Sequence, residues 1–129
     1  MKYRLMDLLI CPMCRHFPLV LHVFETREIE QTSKSKKCEI YCGYEASRID
    51  ELINEPDCEE CWKKEIVTGL LSCGECGRWY PIQDEIPRML PDNMRDKNRD
   101  SQFLTTWKAR IPDKILAEGR PFNLSGRLD

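Results

Sequence analysis

Short groups of apolar residues, separated by polar or cysteine-containing stretches, occupy the first ninety positions of the chain. Leu5, Leu8 and Leu9 have the spacing of one helix face, which predicts one or two helical turns ahead of the first cysteine. Later apolar segments are short and in part alternating, and they predict three strands: residues 17–25, 65–72 and 78–82. The pattern therefore indicates a small α+β fold with an antiparallel β core.

The chain between the first two strands is mostly polar. Residues 26–37 predict a solvated loop, and residues 44–55 predict a short helix in which Ser47 is the N-cap and Pro56 marks the end. The apolar positions that support this helix lie at helical spacing: Ile49, Leu52 and Ile53. One short helix buries little apolar surface, so metal ions or cross-links would have to stabilise this region.

Three prolines restrict the segment that follows the third strand. Because Pro81, Pro87 and Pro91 lack the N–H that a central strand needs, we expect an edge strand and an extended loop. We expect the apolar side chains of this segment to be exposed on so small a fold: Tyr80, Ile82, Ile86, Met89 and Leu90. Such a patch is typical of a partner-binding surface; the alternative is that these residues pack on the first strand.

Beyond residue 91 the chain becomes strongly charged and then amphipathic. A helix is predicted near residues 101–111 by one apolar stripe: Phe103, Leu104, Trp107 and Ile111. Pro112 ends this helix, and an arm follows. The chain therefore divides into three parts: a core of residues 1–24 and 65–91, an inserted subdomain of residues 25–64, and a C-terminal tail of residues 92–129 that is helical and extended.

The charge balance excludes one class of function. The chain has 20 Lys and Arg residues against 22 Asp and Glu, a net charge of −2, which does not fit a polybasic protein that wraps duplex DNA. No apolar run approaches the roughly 20 residues of a membrane span, and the first residues lack the apolar stretch of a signal peptide. We therefore expect a cytoplasmic protein with no membrane partner.

Eight of the 129 residues are cysteine, and their spacing predicts metal binding. The pairs Cys11/Cys14 and Cys73/Cys76 form C-x-x-C knuckles, which bring two thiolates onto one tetrahedral ion at about 2.3 Å. Two knuckles that each lead into a strand are typical of a zinc ribbon, in which four sulfurs complete the coordination sphere and the site is structural. Iron fits four sulfurs as well.

The remaining cysteines form a second quartet between the knuckles: Cys38, Cys42, Cys58 and Cys61. They can bind a second zinc ion, form two disulfides or stay as free thiols. The close pairing and the expected reducing compartment favour metal. Spacing alone does not decide whether the first knuckle shares its ion with Cys73/Cys76 or with Cys58/Cys61.

The sequence contains no motif that is typical of an enzyme active site. There is no His–Cys–Asp nucleophile set and no glycine-rich phosphate loop, and neither His16 nor His22 is assigned a catalytic role. The alternative function is a zinc-ribbon module that binds RNA or a translation or transcription component directly, through stacking and phosphate contacts. Four residues suit such contacts: Arg78, Trp79, Tyr80 and Arg88. The acidic insert, with 12 acids and 7 bases in residues 25–65, argues against it.

Three motifs together resemble the multifunctional methyltransferase subunit family, the small zinc-binding activators of tRNA, rRNA and release-factor methyltransferases. The motifs are Leu8-Leu9-Ile10-Cys11-Pro12-Met13-Cys14, Leu71-Ser72-Cys73-Gly74-Glu75-Cys76-Gly77-Arg78-Trp79-Tyr80-Pro81-Ile82 and Ile86-Pro87-Arg88-Met89-Leu90. Many ribbons contain such knuckles, but their combination with Tyr-Pro-Ile and Ile-Pro-x-Met-Leu is more specific. The chain resembles an archaeal-type member with a cysteine-containing insert.

The resemblance implies a non-catalytic subunit of an S-adenosylmethionine-dependent methyltransferase, which extends the sheet of that enzyme, covers an apolar surface and meets RNA only through it. By position it implies the zinc ligands Cys11, Cys14, Cys73 and Cys76. It also implies a partner surface made of Tyr80, Pro81, Ile82, Ile86, Pro87, Met89 and Leu90. Glu85 stands where the family has glycine, so we expect a strained or reshaped turn there.

Overall fold

The computed structural model describes residues 1–30 and 37–125; residues 31–36, part of the predicted loop over 26–37, and residues 126–129 lie outside the described residues. The strands are β1 (Val20–Glu28), β2 (Tyr41–Cys42), β3 (Ser47–Arg48), β4 (Lys64–Ser72), β5 (Trp79–Gln83) and β6 (Ile86–Pro87). The α-helices are α1 (Cys58–Trp62), α2 (Lys97–Thr106) and α3 (Asp113–Glu118). Short 3-10 helices lie at Tyr3–Asp7, Ile49–Glu51, Asp92–Met94 and Lys108–Arg110.

Four strands form one antiparallel sheet in the order β1-β4-β5-β6. The small α+β fold class with an antiparallel core is therefore confirmed. In β1 the register passes from Val23 opposite Gly69 to Glu25 opposite Thr68, which leaves Phe24 as the extra residue of a bulge.

One face of the sheet packs on the 3-10 helix Tyr3–Asp7. Met6, Tyr80 and Ile82 are completely buried there. The other members of this core are Met1, Cys11, Leu19, Ile66, Leu71 and Cys73. The expectation that Tyr80 and Ile82 would be exposed is wrong, because the N-terminal turn covers the face on which both side chains lie.

The C-terminal tail covers the opposite face. The cluster there combines sheet residues with tail residues: Phe24, Leu70 and Trp79 with Phe103, Leu104 and Ile111. The ring centroids of Trp79 and Phe103 are 5.9 Å apart in a stacked arrangement. Helix α2 begins at Lys97, ahead of the predicted position near residue 101, because the Asp96 carboxylate accepts hydrogen bonds from the first amides and caps the helix.

A buried ion pair fixes the tail to the sheet. The Arg95 Nε donates to the Asp100 carboxylate at 2.8 Å, and both side chains are at most 5% exposed. The Arg95 guanidinium lies over the Trp79 ring, 4.7 Å from its centroid, and its Nη1 donates to the Trp79 carbonyl at 2.7 Å. The pair therefore connects the start of α2 to both the backbone and the side chain of β5.

The helix predicted over residues 44–55 is reduced to the single 3-10 turn Ile49–Glu51. Ser47 is a strand residue opposite Cys42 in the β2–β3 hairpin, and it caps no helix. The hairpin forms instead because it gives hydrogen-bond partners to backbone groups that a short helix would leave unpaired. One of them is the Ile49 amide, which donates to the Ile40 carbonyl at 2.8 Å. The fold also offers no surface against which the apolar side chains of this helix could pack, since Ile53 is 98% exposed.

The β5–β6 connection is a two-residue turn in which Asp84 (φ 51°) and Glu85 (φ 69°) both adopt the left-handed conformation. This matches the expectation that Glu85 occupies a glycine-like position. The edge strand predicted after the third strand is β6, which lies at the end of the sheet, whereas β5 lies between β4 and β6. Pro81 is accommodated there since it only accepts a bond, from the Arg88 amide at 2.9 Å.

Replacing Glu85 by glycine should relieve this turn. The Glu85 carboxylate also pairs with Arg27, so the substitution is best made in an Arg27→Met background. There we expect Glu85→Gly to raise the melting temperature by about 4 °C, measured by circular dichroism. Glu85→Ala in the same background keeps the Cβ and should give no increase; equal increases for both variants would contradict turn strain.

Breaking the buried ion pair should loosen the tail. Asp100→Asn leaves the Arg95 charge buried without a counter-charge, which costs about 3 kcal/mol or more. We expect faster amide hydrogen exchange at Phe103 and Leu104, measured by mass spectrometry. Replacing both partners, as Arg95→Met with Asp100→Leu, should restore most of the protection; a double variant as unprotected as the single one would refute the argument.

Candidate metal centre

The first knuckle is a tight backbone turn around Cys11 and Cys14. The Cys11 amide donates to the His16 carbonyl at 3.0 Å, and the Arg15 amide donates back to the Cys11 carbonyl at 2.8 Å. Arg15 adopts a left-handed backbone conformation with φ 65°. These bonds fold the chain back on itself, so that both thiols point to the same side.

The second knuckle repeats the same pattern. The Cys73 amide donates to the Arg78 carbonyl at 2.8 Å, and the Gly77 amide donates to the Cys73 carbonyl at 3.0 Å. Gly77, with φ 76°, occupies the position that Arg15 has in the first knuckle. The two C-x-x-C segments are therefore equivalent turns that face each other across the end of the β1–β4 pair.

Four thiols converge between the knuckles: the sulfur atoms of Cys11, Cys14, Cys73 and Cys76 all lie within 4.8 Å of one another. The Cys11 and Cys76 sulfurs are 3.7 Å apart and the Cys14 and Cys73 sulfurs 3.4 Å. A zinc–sulfur bond of about 2.3 Å gives a tetrahedron whose edges are about 3.8 Å. The cluster therefore fits a zinc ion, and of the two ligand pairings left open by spacing it has the nested one.

The electrostatics of the cluster favour a cation. Burial tends to raise the pKa of Cys11, but hydrogen bonds from the Tyr80 hydroxyl and the amides of Cys14 and Met13 lower it to about 6. Burial raises the pKa of Cys73 to about 12. Four thiolates this close repel one another strongly, and a divalent ion removes that repulsion. Zinc held by four sulfurs has no open position, so its contribution is structural.

The insert cysteines do not join this cluster. In the described part of the chain, no second group of three or more metal-ligand atoms lies within 4.8 Å. Neither histidine joins it either. His22 on β1 is half-buried, and its Nε2 lies 3.2 Å from the Ser72 Oγ.

The residues implied at a partner surface separate into two groups. Tyr80, Pro81 and Ile82 are buried in the fold. Ile86 is 57% exposed and Leu90 is 36% exposed, while Pro87 and Met89 are partly buried. The sequence pattern did not single out Met94, because this residue stands alone among charged residues. In the structure its side chain is 63% exposed.

The surface required for direct RNA stacking is missing from β5. Trp79 and Tyr80 are both fully buried, so neither ring is free to stack on a base. Arg78 is held by the Asp92 carboxylate through its Nε at 2.9 Å and its Nη2 at 2.8 Å. Three of the four residues on which the RNA-binding alternative rested are therefore occupied within the fold.

The antiparallel sheet and its four-cysteine cluster define a small zinc-ribbon-like protein. The family model described as Trm112p-like protein matches residues 2–85, which span both knuckles and the insert. The chain belongs to this family, which is the methyltransferase activator family. No curated protein matches the chain. Among the described helices none is long and apolar enough to span a bilayer.

Removing one sulfur should remove the ribbon metal. Cys73→Ser is expected to lower the zinc content by one ion per chain and to abolish cooperative unfolding, since structural zinc contributes on the order of 10 kcal/mol to folding in small domains. Zinc is measured by native mass spectrometry and unfolding by circular dichroism. Met13→Ala, within the first knuckle but exposed, is the control. Unchanged zinc in Cys73→Ser would exclude this site.

Proposed function

We propose that this protein is a non-catalytic zinc-binding subunit that stabilises and activates an S-adenosylmethionine-dependent methyltransferase acting on tRNA, rRNA or a translation release factor. Membership of the Trm112p-like family carries the proposal. The four converging thiols support the part of it that concerns zinc. We place the protein in the cytoplasm, where thiols stay reduced and can serve as metal ligands. In this proposal the methyltransferase contacts the RNA, and this subunit does not.

An exposed apolar rim supports the choice of partner surface. We define the rim as Ile86, Leu90 and Met94, whose side chains are exposed although they are large and apolar. Its first residue belongs to the β5–β6 hairpin, which is hydrogen-bonded into the sheet. A preformed surface loses little conformational entropy on binding, which favours association with a larger protein.

The rim also contains a polar recognition point. A hollow of about 50 Å³ beside the rim is lined by Leu90 and Met94 together with charged residues: Arg88, Arg95, Arg99, Asp96 and Asp100. The Arg88 Nε and the Arg95 Nη2 are buried, and no atom of the described residues accepts a hydrogen bond from them. A neutral carbonyl oxygen of the partner that enters the hollow would offer these arginines a further acceptor, whereas a carboxylate would meet the negative charges of Asp96 and Asp100.

Association by strand addition meets a constraint in this chain. The outer edge of β5 is already filled at one end by Arg120, whose carbonyl accepts from the Trp79 amide at 3.1 Å, and at the other end by β6. The other end of the sheet is the long strand β1. The C-terminal half of β1 contains the charged residues Glu25, Arg27 and Glu28, which disfavour pairing with a further strand. We therefore place the partner on the side chains of the rim.

The rim is tested by Ile86→Asp. We expect this variant to bind the co-expressed methyltransferase roughly 10- to 100-fold more weakly, because burial of one isoleucine is worth about 1.5–3 kcal/mol. The enzyme is first identified by affinity purification of the wild-type chain from its own cells, requiring a stoichiometric complex that transfers labelled methyl groups from S-adenosylmethionine. Affinity is then measured by calorimetry.

Ile53→Asp provides the matched control, since Ile53 is fully exposed on the insert and should leave affinity unchanged. Both variants should keep the zinc content of the wild type. Normal binding by Ile86→Asp would show that the rim is not the interface, and a wild-type chain that recovers no methyltransferase would overturn the proposed function itself.

A further inference from the structure

The few buried side chains of the insert belong to cysteine. Among the described residues 37–62, the buried ones are Cys42, Gly43 and Cys61. Two of its three isoleucines are exposed, Ile53 fully and Ile40 by half, and Ile49 is only partly buried. A segment this short has no apolar core to offset its conformational entropy, and such segments depend on a metal ion or cross-links.

The first cysteine pair of the insert lies on a preorganised turn. The buried Asp7 carboxylate accepts hydrogen bonds from the amides of Glu39, Ile40 and Tyr41, at 2.8–2.9 Å. These three residues separate Cys38 from Cys42, so Asp7 fixes the loop that joins the two thiols. A side-chain oxygen thus organises this loop, whereas backbone bonds alone close the ribbon knuckles.

The second pair lies on one turn of helix. The Asp57 side chain caps α1 by accepting from the Glu60 amide at 3.1 Å, and Cys58 and Cys61, three residues apart, project from the same side of this turn. The β2–β3 hairpin approaches from the other direction, where Gly43 packs so tightly that an added Cβ would lie 2.6 Å from the Tyr3 carbonyl and 2.7 Å from the Met6 side chain. The N-terminal turn therefore holds the hairpin in place.

The two pairs face each other closely enough to interact. Burial, with a smaller contribution from charge on the other three thiols, Cys42, Cys38 and Cys58, raises the pKa of Cys61 to about 12. Cys38 interacts in the same way with Cys42 and Cys58. Both pairs also lie against the N-terminal segment, since Gly43 packs on Tyr3 and Met6 and the Lys2 Nζ donates to the Trp62 carbonyl at 2.9 Å. The four sulfurs are therefore neighbours, although they do not converge as closely as those of the ribbon quartet.

We propose that Cys38, Cys42, Cys58 and Cys61 form a second structural zinc site, in which the ion draws the loop before β2 and the turn of α1 together. Zinc suits four thiolates better than harder divalent ions do. Disulfides are the competing chemistry, but they require an oxidising compartment, in which the ribbon thiols would also be at risk. The site acts as the missing core of the insert and is independent of the methyltransferase assignment.

The test is the number of zinc ions on the full chain, counted by native mass spectrometry after purification with a reducing agent and zinc. Wild-type protein should carry two ions. Cys58→Ser should carry one, and Cys58→His should carry two, because imidazole replaces a thiolate as a zinc ligand but cannot form a disulfide. Cobalt substitution should give the absorption bands of tetrahedral sulfur coordination at both sites of the wild type.

Controls separate the site from general unfolding. Ile53→Ser changes an exposed insert residue and should keep both ions, and the ion retained by Cys58→Ser should be lost on adding Cys73→Ser. One ion on the wild type, two ions on Cys58→Ser, or a wild-type mass showing two disulfides after purification without reductant would each overturn the proposal. None of these outcomes depends on whether a methyltransferase binds the rim.

Discussion

The convergence of four sulfurs on one point is the constraint from which the rest of the structure follows. It joins residues that are 59 to 65 positions apart in the chain, and it sets where β1 starts and where β4 ends. The Tyr80 hydroxyl, 3.2 Å from the Cys11 sulfur, connects this point to the buried face of the sheet. A change in the sulfur geometry would therefore reach the core directly through a side chain on β5.

The sheet is covered on both faces, and each cover comes from a different part of the chain. The 3-10 helix Tyr3–Asp7 lies on one face, and the tail, with Phe103 and Leu104, lies on the other. The bulge at Phe24 matters for this division, because it turns an aromatic side chain toward the tail. The family match ends at residue 85, so the tail cover lies outside the part of the chain that defines the family.

Local patterns were sufficient for the knuckles and for the three longest strands, β1, β4 and β5. A C-x-x-C turn is determined by a handful of neighbouring residues, and the positive φ at Glu85 follows from a two-residue hairpin. The burial of Tyr80 could not be predicted from neighbouring residues, because it depends on a segment distant in the sequence that packs over β5. The failed helix over 44–55 has a related cause: its apolar stripe was real, but the fold offers Ile53 no surface to pack against.

The candidate interface illustrates how burial limits the residues that a partner can contact. Tyr80 and Ile86 are both apolar in body and lie on one hairpin, yet one is buried and the other is 57% exposed. The difference arises because the N-terminal turn reaches β5 but leaves β6 uncovered. A partner can contact only residues that are exposed, and of the residues implied at the partner surface by the family motif the fold leaves Ile86 and Leu90 exposed.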